Sequence, residues 1–311
     1  LPVPVPDGDD EFDEDEIEFF RSEFIRVDQI REFESVLTPW LDLGNVYGDT
    51  QERSDALRTF VNGTLNSTII NDREFPPLVD GLFFCGDIRC EENPQLFAFH
   101  VTFLREHNRI AAGYQAVTPD ATDEEIFQFA RLLNINQYQS IIYDFYLPYL
   151  LGRRTWPELA HEYEGFIEGT DPTTSVAFTS AVYRYGHSGI PNELMFLDVD
   201  GDEVRNTLAL AETFLLGSII TEDPSDVPAI FVGQGTRSHG ILDTFVVDAL
   251  RNDLFRNMPE NINAESGMDL IARNIQRCRD HGCPNLNNYR YLFGLDLIEC
   301  DEDDQLACFE E

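Results

Sequence analysis

Three short stretches of this 311-residue chain gather side chains suited to chemistry more than to packing. The first is Cys85-Gly86-Asp87-Ile88-Arg89-Cys90-Glu91-Glu92-Asn93-Pro94. Here a guanidinium and a carboxylate, Arg89 and Glu92, lie three residues apart just before a helical pattern begins. A helix start presents free N–H groups and the positive end of its dipole, which favours anions there. A plain Arg–Glu cap of the helix would use the same residues. The second stretch is Tyr183-Arg184-Tyr185-Gly186-His187-Ser188. A histidine just after a helix-ending glycine presents its imidazole from a fixed backbone point, as an axial metal ligand requires; a satisfied interior histidine reads the same way. The third is Asn274-Ile275-Gln276-Arg277-Cys278-Arg279-Asp280-His281-Gly282. Its amide and guanidinium groups suit orienting a ligand and pairing with carboxylates, or a structural ion-pair network.

The elements that must position these stretches read as helices. From residue 92 to about 116, Leu96, Phe99, Phe103 and Ile110 recur on one face, and Pro94 suits a first turn. Thr122-x-x-Glu125 is a capping box opening a second long helix through Phe127, Leu132 and Ile141, with a break expected at Leu147-Pro148. A third helix is expected over about 174–186, ending at Gly186. Further helices are expected over roughly 206–219, 240–256 and 267–276. No strand alternation and no internal repeat stands out, so the expected architecture is mainly α.

The bulk composition narrows function. The chain is 42% hydrophobic and 12% aromatic, enough for a sizeable core, and carries 58 acidic against 21 basic side chains. Such an acidic surface repels nucleic acid and anionic lipid. Every basic residue is Arg, and the absence of Lys excludes lysine Schiff-base chemistry. No apolar run is long enough for a membrane span. The residues from Leu1 onward do not read as a signal peptide, which suggests a processed chain. Six cysteines fall in three close pairs, Cys85/Cys90, Cys278/Cys283 and Cys300/Cys308. Local pairing is the simplest closure and fits an oxidising compartment; zinc is the less favoured use, since repeated C-x₂-C spacing is absent. The sequons Asn62-Gly63-Thr64 and Asn66-Ser67-Thr68 point to a glycosylated surface loop and a secreted, extracellular chain. The acidic runs over 7–18 and after Cys300 read as solvated segments, with calcium or mineral binding as the other use.

Taken together the motifs resemble the animal haem peroxidases, near the peroxinectin-like branch of the peroxidase–cyclooxygenase superfamily. The matching strings are LTPWLDLGNVYG at 37–48, GDIR at 86–89 with Glu92, LREHNRIA at 104–111, YLPYLLG at 146–152, YRYGHS at 183–188, ILDTFVVDALRNDLF at 241–255 and NIQRCRDHG at 274–282. They run in order from about residue 19 to 297. The resemblance implies a helical haem peroxidase domain (partial) over 19–297, with little β structure. It would be flanked by an acidic N-terminal segment, 1–18, and an acidic Cys-containing tail, 298–311.

Residue by residue, the resemblance implies that His187 is the proximal ligand of haem iron and that Asn274 accepts a hydrogen bond from its other ring nitrogen. It implies that Arg89 is the distal catalytic arginine, that Glu92 is the carboxylate able to esterify a haem methyl, and that Arg184 and Arg277 pair with haem propionates. Asn93 stands where the leucocyte enzyme of the family has a methionine, so no sulfonium link is expected. Thr38, Trp40 and Asp42 match the family's calcium loop, but Gly44 replaces its usual hydroxyl residue. Family members also carry a Gln-x-x-x-His-Asp segment that supplies the distal base. None of His100, His107, His161, His187, His239 and His281 lies in such a motif. Without that base, peroxide cleavage loses a general catalyst that contributes roughly 10²–10⁴-fold. Two readings follow. One is a peroxidase oxidising a halide or small organic donor with hydrogen peroxide, its distal histidine supplied by another segment or chain. The other is a catalytically idle homology domain with a structural, adhesion or assembly role.

Overall fold

The computed structural model describes residues 2–9, 12, 15–152, 156, 165, 167–236, 242–255 and 268–298. Helices α1 (Gly44–Tyr47) and α2 (Gln51–Ala56) precede two long ones, α3 (Pro94–Val117) and α4 (Asp123–Ser140). There follow α5 (Leu147–Leu151), α6 (Val176–Ser180), α7 (Asp226–Thr236), α8 (Asp248–Arg251), α9 (Leu270–His281) and α10 (Leu286–Leu292). The strands among the described residues form only two-stranded antiparallel pairs: β1 (Val3–Pro4) with β2 (Glu16–Ile17), β3 (Ile25–Val27) with β4 (Ile30–Glu32), β5 (Thr68–Ile70) with β6 (Arg73–Phe75), β7 (Leu78–Val79) with β8 (Leu82–Phe83), and β9 (Glu193–Leu197) with β10 (Glu203–Ala209). The fold is mainly α, as the periodicity indicated.

The long helices start where their caps require. Asn93 Oδ1 accepts from Leu96 N at 2.9 Å, and Pro94 fills a position whose N–H would otherwise go unused. Thr122 and Glu125 close a reciprocal capping box on α4. Helix α3 is the spine of the core. On one side Phe97 and Val101 pack with Phe75, Leu194, Phe196 and Ile230, and on the other Phe103 and Leu104 pack with Leu43, Tyr47, Leu65 and Phe127. Each such burial contributes about 1.5–3 kcal/mol. Phe99, expected on the buried face, is exposed and meets Phe231 edge-on at 4.8 Å.

Several expected boundaries differ. The chain does not break at Leu147-Pro148: Ile141–Tyr146 widen into a π turn, and the helix continues as α5. Pro148 falls in the first turn of that segment, where its missing N–H is not needed. Residues 206–219 are not helical; they form the end of β10 and two 3₁₀ turns, Leu210–Glu212 and Gly217–Thr221. The cause is a tight reversal in which Asp198 Oδ1 accepts from Asp200 N and Asp202 N, both at 2.9 Å, so that Leu208 pairs with Leu194. Helix α6 spans only Val176–Ser180 before the 3₁₀ turn Val182–Gly189. Helix α9 runs past residue 276 to His281. Of the helix expected over 240–256, only Asp248–Arg251 is helical, and residues 240, 241 and 256 lie outside the described residues.

Candidate functional site

The first cluster is a closed loop. Cys85 and Cys90 are bonded, with Cα atoms 6.3 Å apart. Gly86 passes over the start of α1, where a Cβ would lie 2.6 Å from the carbonyl oxygens of Gly44 and Asn45, and Asp87 N donates to Asn45 O at 3.0 Å. No larger residue allows that approach. Arg89 turns back on its own loop. Its Nε and a terminal nitrogen donate to the two oxygens of Asp87 at 3.0 and 2.6 Å, leaving the guanidinium 56% exposed. This fork pulls the Asp87 carboxyl below its usual range. Glu92 is pushed upward by burial, with Arg89 opposing the shift. Beneath the loop, burial drives the His100 imidazole down to about 4, so it is neutral at ordinary pH, and its Nδ1 finds no partner.

The second and third clusters meet. Asn274, on α9, sets its Nδ2 2.8 Å from His187 Nδ1, while a terminal nitrogen of Arg184 donates to Asn274 Oδ1. Guanidinium only donates, so the amide oxygen faces Arg184 and the amide nitrogen faces the ring. The expected direction is therefore reversed: Asn274 donates to His187 Nδ1, and for the ring to donate instead the amide must turn and Arg184 must release it. The imidazole is half-buried, and its Nε2 has no hydrogen-bond partner among the described residues. Burial first, and then the charge of Arg184, lower its pKa and favour the neutral form. With Nδ1 accepting from Asn274, that form carries its proton on Nε2; Nε2 is open to iron only when the proton sits on Nδ1 and the amide has turned to accept it.

Arg277 donates to Ser22 Oγ at 2.8 Å and lies over the Phe19 ring at 4.4 Å. It belongs to the ion-pair network that was one of the two readings of this stretch; what sequence reasoning missed is its distant partners, Arg21, Ser22 and Arg31. Asp280, 2% exposed, accepts from Arg21 Nε at 2.6 Å, Ser22 N at 3.0 Å and Arg31 at 3.3 Å. Burial alone would raise this carboxyl, but the donors outweigh it and hold it down to about 2. Beside it, His281 bonds Ser180 Oγ and Ser22 Oγ through its two nitrogens, and Phe33 stacks on its ring at 4.0 Å. A second disulfide, Cys278–Cys283, closes the end of α9. The only sequence signal for this clasp was an aspartate amid arginines on a helix. The third expected pair, Cys300/Cys308, lies outside the described residues, as do His161 and His239.

The Arg89 loop and the His187 group share no hydrogen bond or ion pair among the described residues. Next to His187, Tyr185 and Tyr146 join hydroxyls at 2.9 Å. Tyr146 also lines an open cavity of about 650 Å³ with Phe145, Pro148, Tyr149 and Trp156. In the Thr38–Asp42 loop, Asp42 accepts from Thr38 Oγ1 at 3.2 Å and Gly44 N at 3.0 Å, and Trp40 N donates to Thr38 Oγ1 at 3.2 Å. Among the described residues no three His, Cys, Asp or Glu side chains gather as a metal site. His107 is a satisfied core histidine: Nε2 bonds Gly63 O and Nδ1 meets Tyr47 OH, both at 2.9 Å.

The family model for animal haem peroxidases matches residues 1–305. Peroxinectin A of Dictyostelium discoideum is 29% identical over 290 residues, covering 85% of this chain and 50% of its own length. A peroxidase of Drosophila melanogaster is 32% identical over 283 residues, covering 84% and 40%. The chain thus spans half or less of these two relatives. Among solved structures, peroxidase A from D. discoideum superposes with a TM-score of 0.79 at 26% identity, covering 98% of this chain and 64% of its own. A rice fatty acid alpha-dioxygenase, Y379F with palmitic acid, shares the fold at 21% identity and TM-score 0.77, over 100% of this chain and 57% of its own. With its helical core, its paired His187 and Asn274 and a family match over nearly its whole length, this chain belongs to the animal haem peroxidase family.

Proposed function

We propose that this chain is the haem-holding part of a secreted peroxidase that uses hydrogen peroxide to oxidise a halide or small organic donor. The observation that carries the reading is His187: it is half-buried, its pKa is lowered, one ring nitrogen meets Asn274, and the other has no hydrogen-bond partner among the described residues. Such a ring fits an axial haem ligand once the Asn274 amide turns so that Nδ1–H donates to its oxygen and the Nε2 lone pair is released. Burial first, and then the nearby charge of Arg277, lower the pKa of Arg184, and the two guanidiniums fit as partners of haem propionates. Glu92, with its raised pKa, fits the carboxyl that would esterify a haem methyl. Haem, when bound, supplies the iron at which peroxide is split. Arg89 would then present a fixed positive charge to the departing oxygen. The distal base, in this proposal, comes from a further segment or a second chain carrying a histidine against Arg89. The Thr38–Asp42 loop holds calcium only if further oxygen donors join it, because Asp42 is its single carboxylate. Paired cysteines and two sequons support passage through the secretory pathway.

The clamp of Asp87 on Arg89 favours a second reading, a catalytically idle domain kept for structure, adhesion or assembly. Material purified from its natural source separates the two. Peptide mass spectrometry reveals whether a histidine-bearing distal segment accompanies the chain. Donor oxidation by peroxide well above the rate of free haem then supports the enzyme. Donor oxidation at the free-haem rate, with no such segment present, supports the idle domain.

A further inference from the structure

The two sequons are four residues apart, but the fold treats their asparagines oppositely. Asn66 is built into the framework. Its Nδ2 spends both hydrogens on backbone carbonyls, Ala56 O at 3.0 Å and Arg58 O at 2.8 Å, and its backbone N–H donates to Leu57 O at 2.8 Å. The amide thereby closes the loop that starts at the end of α2. Its sequon hydroxyl, Thr68 Oγ1, accepts from Leu78 N at 3.0 Å. Asn62, by contrast, is exposed at the tip of a tight turn, with a left-handed φ of 54°. Asparagine tolerates that conformation better than most residues. Its Oδ1 accepts from Gln115 Nε2 at 2.6 Å, and no described residue accepts from its Nδ2. The neighbouring Gly63 pins the turn to the helices below: its N–H donates to Asp123 at 2.5 Å and its carbonyl meets His107. The tip is thus held in place, and Asn62 is exposed there with an amide nitrogen that no described residue engages.

From this we infer that Asn62 carries an N-linked oligosaccharide and that Asn66 is an unmodified structural clasp. The inference rests on the secretory reading given above. Transfer from a lipid pyrophosphate-linked oligosaccharide makes a bond from the sugar's anomeric carbon to Nδ2. The pyrophosphate leaves with the bonding pair, and Nδ2 gives up one hydrogen. At Asn62 that hydrogen has no protein partner to lose. At Asn66 its replacement by a sugar breaks one of two hydrogen bonds to backbone carbonyls and forces a bulky group into the space between Asn66 and residues 56–58. Molecules modified there fold poorly and are not secreted. An oligosaccharide on Asn62 also shields Phe60 and Val61, large apolar side chains that are 54% and 60% exposed beside it.

The test is to express the chain behind a supplied secretion leader in a eukaryotic host. The secreted protein is then treated with peptide-N-glycosidase in heavy-oxygen water, and the peptide spanning both sites is sequenced by mass spectrometry. The inference predicts the heavy-oxygen aspartate at position 62 and unmodified asparagine at 66. It further predicts that Asn62→Gln removes the entire glycan mass while the protein is still secreted and folded. Heavy label at position 66 in secreted, folded protein overturns it, as does an unoccupied Asn62. Because the leader is supplied, occupancy at Asn62 is read independently of the natural route. An unmodified natural protein alongside an occupied Asn62 in the host would refute the secretory reading and leave the site assignment standing.

Discussion

Replacing Asp280 with asparagine keeps the side chain's shape and removes its charge. The carboxylate is 2% exposed and accepts from Arg21, Arg31, Arg277 and the Ser22 N–H. Its pKa falls from 3.8 to about 2, and at about 1.4 kcal/mol per unit this corresponds to roughly 2 kcal/mol of stability. Breaking a buried pair costs about 3–5 kcal/mol when the remaining charge cannot be rehydrated. Arg21, however, is half exposed, so the expected loss is about 2–3 kcal/mol. The sign of the pH dependence follows from a depressed carboxyl. The stabilisation is complete above the unfolded value of 3.8 and disappears as pH falls towards 2. Urea unfolding followed by circular dichroism measures both effects. Asp280→Asn is expected to lower the midpoint near neutral pH, and the gap to the unaltered protein should close between about pH 4 and 2. Equal midpoints at neutral pH, or a gap unchanged across that window, would refute the argument. The clasp matters to function because it fixes residues 19–33 against α9, which carries Asn274 and Arg277.

Three further changes test the positioning of the site. Gly86→Ala forces a Cβ against two backbone carbonyls at 2.6 Å; a loss of about 1–3 kcal/mol is expected, read as a lower melting temperature. Tyr47→Phe removes the hydroxyl shared by His107 Nδ1 and Asn134 Nδ2, with an expected loss of about 1–3 kcal/mol by denaturant titration. Burial holds His107 and His100 down to about 4. Both therefore favour folding above the unfolded value of 6.5, and stability measured against pH should begin to fall below it, well before Asp280 titrates.

Local signals were legible in the sequence, whereas long-range partners were not. Pro94 and the Thr122/Glu125 box announced two helix starts because such signals act within one turn. The bonds Cys85–Cys90 and Cys278–Cys283 were legible for the same reason. The β9–β10 hairpin was not. Its register shifts between Glu203, Arg205 and Leu208 blur the two-residue alternation, and what remains resembles a helix. Helix α7 was missed because Pro228, Gly233 and Gly235 interrupt its pattern. At the site, the motifs named His187 and Asn274, yet the direction of their hydrogen bond depends on Arg184, which spacing does not reveal. The Asp280 clasp joins residues more than two hundred positions apart, beyond the reach of any local pattern.

The central claim is that His187 Nε2 is the iron ligand, with the Asn274 amide turned to accept from Nδ1 when haem binds. Haem titration into the purified protein, followed by absorption and electron paramagnetic resonance, tests it directly. The account predicts saturable binding with a Soret band and a nitrogen-ligated ferric signal. It predicts that both are lost in His187→Ala, with the spectrum of the variant returning towards its original form when free imidazole is added. A His187→Ala protein that takes up haem with an unchanged Soret band and unchanged resonance would contradict the assignment of His187 and the account built on it.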